Sequence, residues 1–377
     1  MPDQAVLKQR PRDFLVREAM VVEHTGPTDA HWRYLLLRKS GYTTMEAIRL
    51  VAAELSLPTA DVTYGGLKDE DGITEQLIAV PAGVPLPGLG PEGWRVAGRA
   101  DDWLDLHHHG YGAEPLAIGR LEGNGFRITV RNLAPERAER LAELRKHTMF
   151  FLNYYDTQRF GVPGGPKRTH LVGRAMLAGD WDTALRELAG LRAPESPQAA
   201  QWRGPAEEFF RTLDPRNASF YLAAHASADW NAALRRVVDD TCDPHTVTVE
   251  LDGLEYRYAD RPLAVLATAP ELPYAKYTFT DGIPAARTSA RPTVVQTTVS
   301  LSPAAPDELN PGRSRIGLGF FLPSGSYATA AVRQLLAHQA TASATTASTP
   351  TAITSTATAT TAATSSTATE PKAGEVR

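Results

Sequence analysis

The chain has 377 residues, 42% of them hydrophobic, enough for two cores and suggestive of two or three domains. One cysteine, Cys242, excludes an intramolecular disulfide framework and a thiolate zinc cluster, and a net charge of −4 is not the basic excess common among RNA-binding proteins, although a local basic groove remains open to it. No apolar run approaches the roughly 20 residues that span a bilayer, and the polar N-terminus lacks the apolar core of a signal peptide, so a soluble, cytoplasmic protein with no membrane partner is expected.

Asp13-Phe14-Leu15-Val16, followed by Glu18, opens a strand with alternating faces. Trp32, Tyr34 and Leu36 alternate through a second strand that ends at Lys39-Ser40-Gly41. Thr43 or Thr44 can then cap a helix in which Met45, Ile48, Val51, Ala52 and Leu55 share one face. A short apolar strand at Val62 and Tyr64 runs into Gly65-Gly66-Leu67-Lys68-Asp69-Glu70-Asp71-Gly72-Ile73-Thr74-Glu75-Gln76. The glycines allow the chain to double back, and the alternation of Ile73, Leu77 and Ala79 returns it to a sheet. Two readings of this tip stand side by side: a solvated acidic turn, or a carboxylate held from both sides as a catalytic group must be.

Residues 81–93 form a turn-rich connection. His107-His108-His109 suggests a metal, but neighbouring residues on an extended chain point apart, and no metal is assigned there. Gly123-Asn124-Gly125-Phe126 leads into alternating Ile128 and Val130; Asn-Gly alone reads as a hairpin entry. A helix is expected from about Pro135 to Thr148, followed by Asn153-Tyr154-Tyr155-Asp156-Thr157-Gln158-Arg159-Phe160-Gly161 and the basic loop Gly164-Gly165-Pro166-Lys167-Arg168-Thr169-His170. That loop can meet phosphate but is neither a Walker A loop nor a dinucleotide fingerprint. Further helices are expected at Asp180–Leu188, Pro205–Leu213 and Ala218–Val238. Thr246 to Tyr258 reads as a hairpin across Asp252-Gly253. Leu272 to Pro292 carries no clear signal of helix or strand. Phe320-Phe321-Leu322-Pro323-Ser324-Gly325-Ser326-Tyr327-Ala328-Thr329 takes a strand through a turn to a helix capped by Ser326 and running through Leu336. From Ala340 to Glu370 the chain is almost all Thr, Ala and Ser, and is expected to be a disordered tail.

Gly-x-Lys-Asp-x-x-x-x-Thr-x-Gln at residues 66–76 resembles the signature of the TruD family of tRNA pseudouridine synthases. Phe14 with Glu18, Gly123 to Phe126, Asn153 to Gly161 and Phe320 to Thr329 resemble four further motifs in that family's order, with two departures, Tyr155 where the family has Phe and Asp156 where it has Gly. The resemblance implies an α+β fold: a pseudouridine-synthase-like catalytic domain with a mixed, mostly antiparallel sheet flanked by helices, interrupted by an inserted α/β TRUD domain. The expected division is 1–162 and 313–339 for the catalytic domain, 163–312 for the insertion and 340–377 for the tail.

It further implies an enzyme that isomerises uridine to pseudouridine in RNA without a cofactor or metal. Asp69 would be the catalytic residue, attacking C1′ or removing the C2′ proton. Phe14, Phe126 and Tyr327 would form aromatic walls, Asn124 would meet the uracil edge, and Lys68 would keep Asp69 ionised or serve a phosphate. Arg159, Lys167 and Arg168 are the candidate RNA contacts. The implied partner is tRNA, and a monomer is expected. Because Glu70 and Asp71 stand where the family usually has a basic residue, a uridine nucleotide or short RNA is kept as an alternative, and so is a non-catalytic RNA-binding protein on the same scaffold.

Overall fold

Phe14 and Val16 alternate with Leu15 and Arg17, and this two-residue period builds the first long strand of the computed structural model. The structure describes residues 5–68, 70–99, 101–117, 120–161, 165–244, 246–280, 282–344 and 354–355. Leaving aside two-residue bridges, the strands are β1 (Phe14–Met20), β2 (Trp32–Ser40), β3 (Ile73–Pro81), β4 (Trp94–Arg99), β5 (Asp102–Gly112), β6 (Leu121–Leu133), β7 (Lys146–Leu152), β8 (Thr246–Leu251), β9 (Leu254–Ala259), β10 (Glu271–Thr280), β11 (Ile283–Pro292), β12 (Val294–Leu301) and β13 (Ser314–Pro323). The helices are α1 (Thr44–Glu54), α2 (Pro135–Glu143), α3 (Thr169–Leu177), α4 (Trp181–Ala189), α5 (Ser196–Gln201), α6 (Ala206–Thr212), α7 (Pro215–Cys242), α8 (Pro262–Thr268) and α9 (Ala328–Ala344).

Among the described residues the chain divides into two compact units, one within 6–147 with 298–325, the other within 148–297 with 326–344. The first is organised by a sheet in the order β4-β5-β2-β3-β1-β6-β13. Only β1 and β3 run parallel in that series; the other neighbours are antiparallel. Strand β2 is buried on both faces. Leu35 and Leu37 pack with Ala47, Ile48 and Val51 of α1, while Tyr34 on the other face packs with Leu77 and Ala79. Helix α1 starts where its sequence directs: the Thr43 hydroxyl accepts from the Glu46 amide at 3.1 Å, and the Glu46 carboxylate accepts from the Thr43 amide at 2.8 Å.

In the second unit the 28-residue α7 serves two cores. Ala218, Tyr221 and Leu222 join Phe209, Phe210 and Leu188, whereas Ala226, Trp230, Leu234 and Val238 join Tyr154, Tyr155, Tyr256 and Tyr258. The Asp252-Gly253 hairpin forms as its residues demand, both at positive φ (51° and 78°), with Val247, Val249 and Leu251 opposite Tyr258, Tyr256 and Leu254.

Two sequence expectations are corrected, and one unassigned stretch is filled. The helix expected to run to Thr148 ends at Glu143, because Arg145 takes a left-handed φ of 48° and the run Thr148 to Leu152, rich in aromatic and β-branched residues, becomes strand β7. Leu272 to Pro292, left unread, is the β10–β11 hairpin. Helix α9 continues to Ala344, past Leu336 and past the expected start of the tail at 340. Of that expected tail, residues 345–353 and 356–377 lie outside the described residues.

Candidate active site

Asp69 itself lies outside the described residues. Its neighbours do not, and the first unit fixes them at nearly every second position. The Gly66 carbonyl accepts from the Gln76 side-chain amide at 3.0 Å. The Lys68 amide donates to the Thr44 hydroxyl at 2.9 Å, and that hydroxyl donates to Gln76 at 3.0 Å. The Lys68 carbonyl faces the Lys39 ammonium at 3.5 Å, and the Glu70 carbonyl accepts from the Gly41 amide at 3.3 Å. Gly72 touches β1 so closely that a Cβ there would lie 2.4 Å from the Phe14 carbonyl oxygen; no other residue fits. Thr44, Gln76 and Lys39 are all buried. The loop is thus held by side chains from β2, α1 and β3, each inside the core.

The Lys68 side chain turns inward, 3% exposed, to Glu18, 1% exposed, at 3.0 Å. This ion pair departs from hydrogen-bond geometry, while the second Glu18 oxygen accepts the Leu77 amide at 2.9 Å. Glu18 is opposite Asn124 in the β1–β6 ladder, and Asn124 is opposite Leu322 in the β6–β13 ladder. Directly paired residues share a face, so Glu18 and Asn124 lie beside one another. Asn124 is buried, and its carbonyl oxygen has no hydrogen-bond partner among the described residues. A buried acceptor without a donor is open to the donor of a ligand. On the same face, Phe126 packs edge-on to Phe14 at 6.0 Å and stacks on Phe320 at 5.5 Å. Phe14 and Phe126 are 2% and 8% exposed, so both serve as core as well as candidate wall.

The second unit holds the remaining candidates. Tyr327, half-buried, meets Tyr155 edge-on at 5.9 Å. Tyr155 stacks on Tyr274 at 5.5 Å and lies beneath the Arg291 guanidinium at 4.0 Å. Burial raises the Tyr155 hydroxyl far above its ordinary range. For Tyr274 burial also acts upward, but Arg159 and the hydroxyls of Ser227 and Tyr155 prevail and lower it. Asp156, buried beside Tyr155, pairs with Arg333 and accepts from the Thr329 hydroxyl, both on α9.

Arg159 is not at the surface where an RNA contact was expected. It is 2% exposed, donates to the Ser227 hydroxyl at 3.1 Å and lies over Tyr155 and Phe220. Its role is to build the aromatic cluster. Lys167 donates to the Gly161 carbonyl at 3.1 Å, and exposed Arg168 grips Glu187 at 2.7 and 2.9 Å. Glu18 was named in the sequence as part of a motif but not as a site residue. An acid in a strand whose two neighbours in the face are Val16 and Met20 was the available signal.

A family model described as tRNA pseudouridine synthase D (TruD) matches residues 3–248. A Geobacter sulfurreducens protein named tRNA pseudouridine synthase D is 34% identical over 210 residues, covering 54% of this chain and 47% of that protein. The Geobacter metallireducens protein of the same name is 28% identical over 402 aligned positions, covering 88% and 94%. This chain therefore spans about half the length of the first relative and nearly all of the second. In fold, it is similar to the crystal structure of a Methanosarcina mazei protein named as a tRNA pseudouridine synthase D, with a TM-score of 0.57 over 89% of this chain and 94% of the other at 21% identity. With its motifs in order, its mixed sheet and a family match over more than half its length, the chain belongs to the tRNA pseudouridine synthase D (TruD) family.

Proposed function

We propose that the protein isomerises uridine to pseudouridine in tRNA, with Asp69 as the nucleophile. The reaction breaks the N1–C1′ bond, turns the uracil and joins C5 to C1′; the C5 proton leaves and N1 gains one, so no oxidant or group donor enters. The observation that carries this reading is the clamp on residues 66, 68, 70 and 72, which fixes the main chain on either side of Asp69. Asn124 fits the uracil edge, its open carbonyl oxygen accepting from N3–H. Phe126 is proposed to offer the base a face, and Tyr327 is proposed as a substrate contact of its own unit. Lys68, shared with Glu18, keeps positive charge next to Asp69. The proposed domain plan is that of the family, a catalytic domain over 1–162 and 313–339 with 163–312 inserted.

Mass spectrometry of tRNA and of free uridine nucleotides after incubation tests the proposal. Isomerised uridine in tRNA is the expected result. Isomerisation of the free nucleotide with tRNA untouched would transfer the substrate assignment to the small molecule, and no isomerisation of either would remove the enzyme reading.

Thr44→Val probes the clamp. It deletes both hydrogen bonds of the hydroxyl while keeping its shape, and a displacement of about 1 Å in a reacting group costs on the order of 10²-fold in rate. The expected result is a kcat lowered by about 10- to 100-fold with KM little changed. An unchanged kcat would show that the loop is positioned without Thr44.

A further inference from the structure

The β10–β11 hairpin of the second unit consists of two ten-residue strands. At its base, one face is buried: Tyr274 stacks on Tyr155, the Ser289 hydroxyl donates to the Tyr274 carbonyl at 3.3 Å, and Arg291 is 8% exposed. Farther out, that same face carries Lys276 directly opposite Arg287, then Thr278 opposite Ala285 and Thr280 opposite Ile283, all exposed. The other face of β10 is anchored by Phe279, which packs with Trp181 and the helices around it. Strand β11 pairs with β10 alone among the described residues, so its outer edge is open.

Two cations directly opposite each other repel, and a cross-strand pair of this kind lowers the stability of a hairpin. Neither Lys276 nor Arg287 makes an ion pair or hydrogen bond with any described residue. The one carboxylate of the two described strands, Glu271, is at the base of the hairpin, five residues from Lys276. This arrangement is unfavourable in isolation and favourable against a polyanion. It is also continuous with the aromatic cluster: Tyr327 meets Tyr155, Tyr155 stacks on Tyr274, and Lys276 follows two residues, roughly 7 Å, along the same face.

We propose that the distal face of the β10–β11 hairpin, centred on Lys276 and Arg287, binds the sugar-phosphate backbone of the RNA substrate close to the base held at Tyr327. The inference rests on the RNA reading proposed above. Contacts of this kind orient the RNA without reading its sequence, so they govern affinity and not the choice of base.

The test compares the full-length wild type with the double variant Lys276→Gln, Arg287→Gln. Affinity for an unmodified tRNA transcript is measured between about 50 and 200 mM salt, where each lost phosphate contact flattens the log–log slope by about 0.7–0.9. A slope shallower by about 1.5, a raised KM and an unchanged kcat at saturation are expected. The melting temperature should be equal or higher, because the repulsion is gone. Exchanging the two cations (Lys276→Arg with Arg287→Lys) should keep the wild-type slope. A steep slope in the wild type that the double variant retains overturns the proposal. So does self-association of the variant with RNA binding intact, which would make the cations guards of an open strand edge. A wild type whose tRNA binding is indifferent to salt would fail before any substitution, and that result strikes the RNA reading itself.

Discussion

Asp69→Asn is expected to abolish isomerisation of tRNA, by at least about 10³-fold, while the affinity for tRNA stays near that of the wild type. The amide nearly matches the carboxylate in shape but carries no charge, so it neither attacks C1′ nor takes a proton from C2′. The clamp makes this test clean. The groups that hold residues 66, 68 and 70 are main-chain and buried side-chain atoms of other segments, and Asn keeps the size of the side chain it replaces. The variant should therefore fold and melt as the wild type does. Turnover near the wild-type rate would remove Asp69 from the reaction. Lost turnover with lost tRNA binding would instead make it a binding residue.

The largest expected effect on stability belongs to Asp156. Its carboxylate is buried with Arg333, 2% and 1% exposed, and breaking such a pair from one side strands a buried charge at a cost of about 3–5 kcal/mol. Asp156→Gly, which restores the residue of the family pattern, is thus expected to destabilise this protein by about that amount in urea denaturation at neutral pH. Asp156→Gly with Arg333→Leu should recover much of the loss, since no charge is then left alone. The pH dependence has a definite sign. Burial pushes the Asp156 carboxyl up, but Arg333, the Thr329 hydroxyl and the Thr157 amide outweigh it and hold the group below its ordinary value. Its contribution is complete above the usual carboxylate pKa of roughly 3.9 and is lost as pH falls through the lower folded value. Asp156→Gly should accordingly show less acid destabilisation than the wild type. A variant as stable as the wild type at neutral pH would mean that Arg333 finds another counterion.

Where local chemistry and packing agree, the sequence was readable. The capping residues of α1 and the Asp-Gly turn of the β8–β9 hairpin act within a few residues, and both formed as expected. The β10–β11 hairpin escaped because its outer strand, Ile283 to Pro292, is mostly exposed alanine, threonine and arginine with prolines near both ends, so no apolar alternation marks it. Helix α2 is shorter than its sequence pattern because Leu144 and Arg145 continue that pattern, and the left-handed turn at Arg145 has no sequence signature of its own. Arg159 misled for a different reason. Its charge and basic neighbourhood suggest a surface, yet tyrosines 155 and 274 offer a buried guanidinium both ring faces and hydroxyls. Candidate site residues could be named where the family's motifs name single residues. What the sequence could not display was which distant residues hold them. Thr44 and Lys39 reach the Asp69 loop from more than twenty positions away, a relation set by the packing of α1 and β2 against β3.

That relation changes how the loop moves. Ordinary surface loops exchange their amide hydrogens quickly, since little has to break to expose them. The Lys68 amide, although it is in a loop, donates to a hydroxyl on the buried first turn of α1. To reach solvent it must part from Thr44, and Thr44 is tied in turn to Gln76 within the central sheet. Its exchange is therefore expected to follow the slow opening of β2 and β3 rather than the fast fluctuations of a turn. The residue before Asp69 then inherits the rigidity of the sheet, and denaturant should silence the proposed activity only as that sheet itself comes apart.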